Sequence, residues 1–144
     1  MPGVLLTRSL PLYTPMIPIT INSVKTDAIL DSGADVSIIS ESLYNKLKEK
    51  PKLMSSKLPA LTGVSGTKLT SLGSLHIPIY IGKSRISITF EVLRGITKDA
   101  LLGSDFLFKT KAKLDYESKT LQIYDKVVIL KSKQSTKLQD RKST

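Results

Sequence analysis

The apolar residues of this chain come in short runs rich in isoleucine, valine and leucine, each closed by turn residues, and that punctuation favours strands. Residues 16–21 and 26–30 flank Asn22-Ser23 and read as two strands around a turn. Pro18 has no N–H to give a ladder, so it argues for an edge position. Residues 36–39 make a third run. Ser40 can then cap a short helix over 41–48, with Glu41 in its first turn and lysine in its last, closed by Pro51. Residues 58–72 hold Gly63 and Gly66 at a hairpin tip, and 74–81 and 85–92 turn around Gly82-Lys83-Ser84. Residues 100–102 read as a short buried strand, after which Gly103 opens a helical turn through Phe106 and Phe108. Residues 113–115 and 120–124 pair around Glu117-Ser118-Lys119, and 127–130 is a last strand. The expectation is a mainly β domain with one or two short helices.

At 144 residues there is room for one domain and little more. Of these, 40% are hydrophobic and 24% charged, the balance of a globular protein rather than a disordered one. Without cysteine there is no disulfide framework, thiolate metal site or cysteine nucleophile. A single His76 removes a histidine-rich metal cluster and leaves serine hydrolase chemistry one imidazole. No metal or other cofactor is expected. Pro2, Arg8 and Pro11 interrupt the N-terminal apolar residues, and no later run is long enough to span a bilayer. The expected location is cytoplasmic or within virus-like particles, with no membrane partner. The net charge of +10 attracts polyanions without requiring a site for them. Many of the cations fall late, at Lys126, Lys131, Lys133, Lys137, Arg141 and Lys142, and the basic residues do not read as grouped with aromatics in the manner of a single-strand binding platform. Residues 131–144 therefore read as a solvated, disordered tail, and no specific nucleic-acid site is expected.

Chemistry concentrates in Ala28-Ile29-Leu30-Asp31-Ser32-Gly33-Ala34-Asp35. An apolar strand runs into an acid, a hydroxyl and a glycine, so Asp31 emerges at the edge of the core. A carboxylate there needs hydrogen-bond partners to stay ionised. Gly33 lets backbone pass close and donate an N–H, and Ser32 can tie the loop to neighbouring backbone. Taken alone, Asp-Ser-Gly is also ordinary turn vocabulary.

Two further segments decide between those readings: Gly63-Val64-Ser65-Gly66 and Ala100-Leu101-Leu102-Gly103-Ser104-Asp105-Phe106-Leu107. With Asp31-Ser32-Gly33-Ala34, in this order and at these separations, the chain resembles the retropepsin family, the proteases of retroviruses and long-terminal-repeat retrotransposons. The resemblance runs over about 15–130, leaving 1–14 as an N-terminal segment, either a dimer-interface strand or a linker. It implies a small closed β-barrel of the acid-protease type that works as a homodimer. Asp31 would be the catalytic acid, supported by Ser32, Gly33 and Ala34. Asp35, Gly63, Val64, Ser65, Gly66 and Leu102 would contact a peptide or polyprotein substrate, with 63–66 as the flap. Aspartic proteases need two carboxylates sharing a proton, and this chain has one such motif; a two-fold dimer supplies the second.

The resemblance has departures. Some viral members carry an arginine after the glycine of the third segment, paired with the acid corresponding to Asp35. Here that position is Ser104, so Asp35 is left either to substrate or to another cation, for which Arg8 is a candidate. Asp105 is expected at the helix start. His76 and Asp27 read as outward-facing strand residues, Asp99 as a turn cap, and Leu43, Tyr44 and Leu47 as helix packing. The implied activity is an aspartic endopeptidase maturing a retroelement polyprotein. The alternatives are a DNA-damage-inducible, ubiquitin-shuttle type of retropepsin and a silent dimerisation or binding module.

Overall fold

The computed structural model describes residues 3–5, 14–56, 60–62, 68–124 and 126–133. Twelve strands and two short helices lie among them: β1 (Gly3–Leu5), β2 (Thr14–Ile21), β3 (Val24–Leu30), β4 (Ser37–Ser40), α1 (Glu41–Lys46), β5 (Ala60–Thr62), β6 (Lys68–Ile81), β7 (Ser84–Arg94), β8 (Ala100–Leu102), α2 (Ser104–Lys109), β9 (Lys113–Asp115), β10 (Thr120–Ile123), β11 (Lys126–Ile129) and β12 (Lys131–Lys133). The mainly β expectation holds.

Nine strands pair in the order β1-β5-β6-β7-β4-β8-β3-β2-β12, and β6 also pairs with β2. That additional pairing links strands from the two flanks, so β6, β7, β4, β8, β3 and β2 follow one another around a circuit of ladders. Inside it, Ile17, Ile19 and Ile21 of β2, Ile77, Ile79 and Ile81 of β6, and Ile86, Ile88 and Phe90 of β7 alternate inward. This is the period-two pattern of half-buried strands. β4 and β8 differ, being buried on both faces. Ile39, Ala100 and Leu102 join the main core, while Ile38 and Leu101 pack with Ala34 and Leu93 in a second cluster beneath the loop after β3. β9, β10 and β11 form a separate three-stranded sheet whose Leu121 and Ile123 reach the main core.

Several boundaries depart from the sequence reading. The helix expected over 41–48 ends at Lys46, because Leu47 leaves it in extended conformation to enter the core at 2% exposure. Ser40 does cap it, accepting from Leu43 N at 3.0 Å. Pro18 is not on an edge strand: β2 is flanked on its second side by β12 at Thr14–Met16 and by β6 at Thr20–Ile21. The proline falls in the gap between these partners, where no N–H is needed. Lys131–Lys133, read as the start of a tail, pairs with Met16, Pro15 and Thr14 as β12. β2 likewise begins at Thr14, inside the expected N-terminal segment, and β1 pairs in parallel with β5 of the same chain. No helix among the described residues is long and apolar enough to cross a membrane.

Candidate active site

Three segments converge on Asp31. β3 lies parallel to β8, and the ladder carries one step past the strand: Asp31 N donates to Leu102 O at 3.0 Å. The chain then turns back, with Ala34 N donating to Asp31 O at 3.1 Å. Gly33 N donates to Asp31 Oδ1 at 2.9 Å, and a Cβ at Gly33 would sit 3.2 Å from that oxygen. The glycine thus lets an amide lie against the carboxylate.

Oδ1 is held; Oδ2 is not. Asp31 is half-buried, its Oδ2 is shielded from solvent, and that atom has no hydrogen-bond partner among the described residues. Leaving a buried carboxylate oxygen unmatched costs on the order of 1–3 kcal/mol or more. The atom marks where a donor belongs.

The third segment braces the loop. Gly103 passes so close that a Cβ would lie 2.7 Å from Ala34 O and 2.6 Å from Val36 O. Ser104 N donates to Ala34 O at 2.7 Å, and Gly103 N donates to Ser37 Oγ at 3.1 Å. Asp105 does sit in the first turn of α2, with Phe106 N donating to its Oδ1 at 2.7 Å. Its larger role crosses the fold: Ser37 N donates to Oδ2 at 3.1 Å and Ser37 Oγ to Oδ1 at 2.7 Å. Ser37 is fully buried, so the pair ties the far end of the loop to α2.

The expected site residues divide accordingly. Asp31, Ser32, Gly33 and Ala34 form one loop, with Ser32 exposed and Ala34 buried in the second cluster. Ser32 was expected to bond neighbouring backbone, and its hydroxyl makes no hydrogen bond among the described residues. Asp35 is exposed and has no ion pair there either; Arg8 lies outside the described residues. Leu102, expected to contact substrate, is fully buried in the main core, and its carbonyl accepts from Asp31 N. Gly63, Val64, Ser65 and Gly66 lie outside the described residues, although β5 and β6 pair antiparallel on either side of them, Leu61 opposite Leu69. His76 is exposed on β6, its Nδ1 2.9 Å from Thr89 Oγ1.

One polar centre was not anticipated. Glu91 is 4% exposed, and its carboxylate accepts from Ser56 Oγ at 2.6 Å, from Ser71 Oγ at 2.7 Å and from Ser74 Oγ. An acid inside the apolar run Phe90-Glu91-Val92-Leu93 was its signal in the sequence. It faces a pocket of about 350 Å³ also lined by Val36, Met54, His76 and Asp105. Asp31 is not among that lining. No group of three His, Cys, Asp or Glu placed to hold a metal occurs among the described residues.

Known proteins resemble the chain over this same region. The aspartyl protease family matches residues 8–115. The UBA domain-containing protein Mud1 of Schizosaccharomyces pombe is 31% identical over 118 residues, 81% of this chain and 35% of that protein. The Gag-Pol polyprotein of Koala retrovirus is 25% identical over 113 residues, 78% of this chain and 6% of the polyprotein. The chain thus spans about a third or less of these relatives. Among solved structures, the retroviral protease-like domain of Ddi1 from Leishmania major matches with a TM-score of 0.62 at 20% identity, over 82% of this chain and 93% of that one. At that identity the likeness speaks for the fold.

Proposed function

The chain belongs to the aspartyl protease family, and from that premise we propose that it is an aspartic endopeptidase whose two catalytic carboxylates are Asp31 of one copy and Asp31 of a second. The observation that carries the reading is the shielded, unmatched Oδ2 of Asp31 beside an Oδ1 already fixed by Gly33 N. A second carboxyl group sharing one proton is the partner that such an atom calls for. Two adjacent carboxylates cannot both ionise cheaply, so one stays charged and one protonated. The charged one takes a proton from a bound water as it attacks the scissile carbonyl, and the protonated one donates to the carbonyl oxygen. No covalent intermediate forms.

Around that dyad, Gly63, Val64, Ser65 and Gly66 would cover an extended peptide and Asp35 would meet its backbone. The six-strand circuit supports a small closed barrel as the scaffold. The biological setting we favour is maturation of a retroelement polyprotein, in the cytoplasm or in virus-like particles. A second reading, a protease of the DNA-damage-inducible, ubiquitin-shuttle type, draws support from the 31% identity to Mud1 and from the Ddi1-like fold.

The test is hydrolysis of a peptide library at mildly acidic pH, with and without pepstatin, a mimic of the transition state for this chemistry. Cleavage abolished by pepstatin and by Asp31→Asn, with the variant still folded, is the expected result. Cleavage that survives Asp31→Asn overturns the mechanism. A folded, dimeric protein that cleaves nothing points instead to the silent binding module.

A further inference from the structure

Folding sets basic and aromatic residues of separate strands in one row. Thr20 pairs with Lys25 in β3 and with Tyr80 in β6, and Tyr80 pairs with Arg85 in β7. Directly opposed residues of antiparallel strands project to the same face. Lys25, Tyr80 and Arg85 are all exposed, so a tyrosine stands in one row between two cations. With strands about 4.8 Å apart, Arg85 is one strand from Tyr80 and Lys25 is two.

The positive surface continues around the β6–β7 turn. Lys83 is exposed at its tip. Lys126 donates to Ile81 O at 3.0 Å, and Lys109 donates to Ser87 O. Tyr124 N donates to Thr110 O at 3.3 Å, which brings Tyr124 beside Lys111. These carbonyl contacts hold the lysines in place without cancelling their charge. Phe108, next to Lys109 in sequence, is 88% exposed, and Tyr124 is 54% exposed. Within 80–87, 108–113 and 124–126 the sequence has six cations and one acid, Asp125. Of the nearby acids, Asp27 pairs with Lys131 at 3.1 Å and Asp115 accepts the amides of its own turn, while Glu49 and Glu117 are exposed.

We propose that this face binds single-stranded nucleic acid, with phosphates on the lysines and Arg85 and unpaired bases stacked on Tyr80, Phe108 and Tyr124. The cations alone fit any polyanion, but exposed rings among them fit bases free to stack. An acidic peptide leaves the rings unused, and a duplex keeps its bases from them. Lys25 lies six residues before Asp31, roughly 20 Å along an extended strand, so an occupied surface leaves the catalytic loop open.

The test is anisotropy of a labelled oligouridylate titrated with the full chain at several salt concentrations. Affinity is expected to fall with salt, and Lys83→Gln with Arg85→Gln to flatten the log–log slope by about 1.4, at ~0.7 for each phosphate no longer neutralised. Tyr80→Ala is expected to weaken binding roughly tenfold at unchanged slope, and Tyr80→Phe to restore it. Thermal unfolding of each variant checks its fold. Replacing Lys137, Arg141 and Lys142 together by Gln is expected to leave most of the affinity. Loss of binding in that tail variant, with binding retained in Arg85→Gln, overturns the proposal. So does polyglutamate or a duplex competing as well as the single strand, or no binding at low salt.

Discussion

Gly103 has φ −92°, which any residue adopts, so what keeps a side chain out of this position is space alone. The atoms in the way are carbonyl oxygens of Ala34 and Val36, backbone of the loop that carries Asp31. Neither can swing aside as a flexible side chain would. Gly103→Ala is therefore expected to destabilise by about 1–3 kcal/mol, as overpacking does. It should also displace Asp31, lowering peptide hydrolysis beyond what the lost stability explains. Unfolding and kcat measured on one preparation check both effects, and an unchanged kcat would separate Gly103 from the site. The order Asp31-Ser32-Gly33 followed by Leu102-Gly103 was legible in the sequence because both segments carry short, strongly constrained motifs. The link from Asp105 to Ser37 was not. It spans 68 residues and depends on how β4 and α2 are registered, which no local pattern states.

At the scale of elements, strands with an apolar pattern, alternating or continuous as in β4 and β8, were legible, and β12, held only by its partner, was not. Lys131-Ser132-Lys133 has no apolar pattern at all, yet pairs with β2 as β12. The sequence pattern splits β6 into two pieces, and the register of that strand does shift between Ser71 and Gly73 opposite β7. Glu91 holds that irregularity, accepting from Ser71 and Ser74 on either side of it and from Ser56 across the Met54–Ser74 bridge. Glu91→Ala leaves several hydroxyls without an acceptor and is expected to cost about 1–3 kcal/mol, read from denaturant unfolding. A neutral result would mean that water replaces the carboxylate at no loss. Two exposed carboxylates shape the response to acid. Arg94 bonds Glu41 at 3.1 Å, joining α1 to β7, and holds the Glu41 pKa below its ordinary 4.5. The amides of Ser118 and Glu117 hold Asp115 below 3.8 in the turn between β9 and β10. Depressed values mean that each contribution is complete above the ordinary pKa and disappears as pH falls through the lowered one. Glu41→Gln and Asp115→Asn should each flatten the melting temperature against pH below those ordinary values and leave its slope at neutral pH alone. Equal slopes in wild type and variants would contradict this assignment.

For the whole molecule, one chain offers one Asp31, and the proposed dyad requires a second copy of it. Nothing in the viral position of an arginine helps here, since Ser104 stands there and uses its N–H on Ala34. The proposed dimer would rest on other contacts, and an equilibrium between inactive chain and active pair should be measurable. Specific activity is expected to rise with protein concentration and level off once the dimer is saturated. A mixing experiment makes the sharper distinction. Asp31→Asn chains keep the surfaces that pair but bring no ionisable acid, so each mixed dimer holds one carboxylate and lacks the charged and protonated couple. Added to a fixed amount of wild type above the dimer constant, they should draw active chains into inactive pairs. With a fraction f of wild-type chains and random pairing, activity per wild-type chain should fall in proportion to f. Activity that instead tracks the amount of wild-type chain, whatever the excess of variant, means that no site is shared. The catalytic reading would then need its second acid from within one chain.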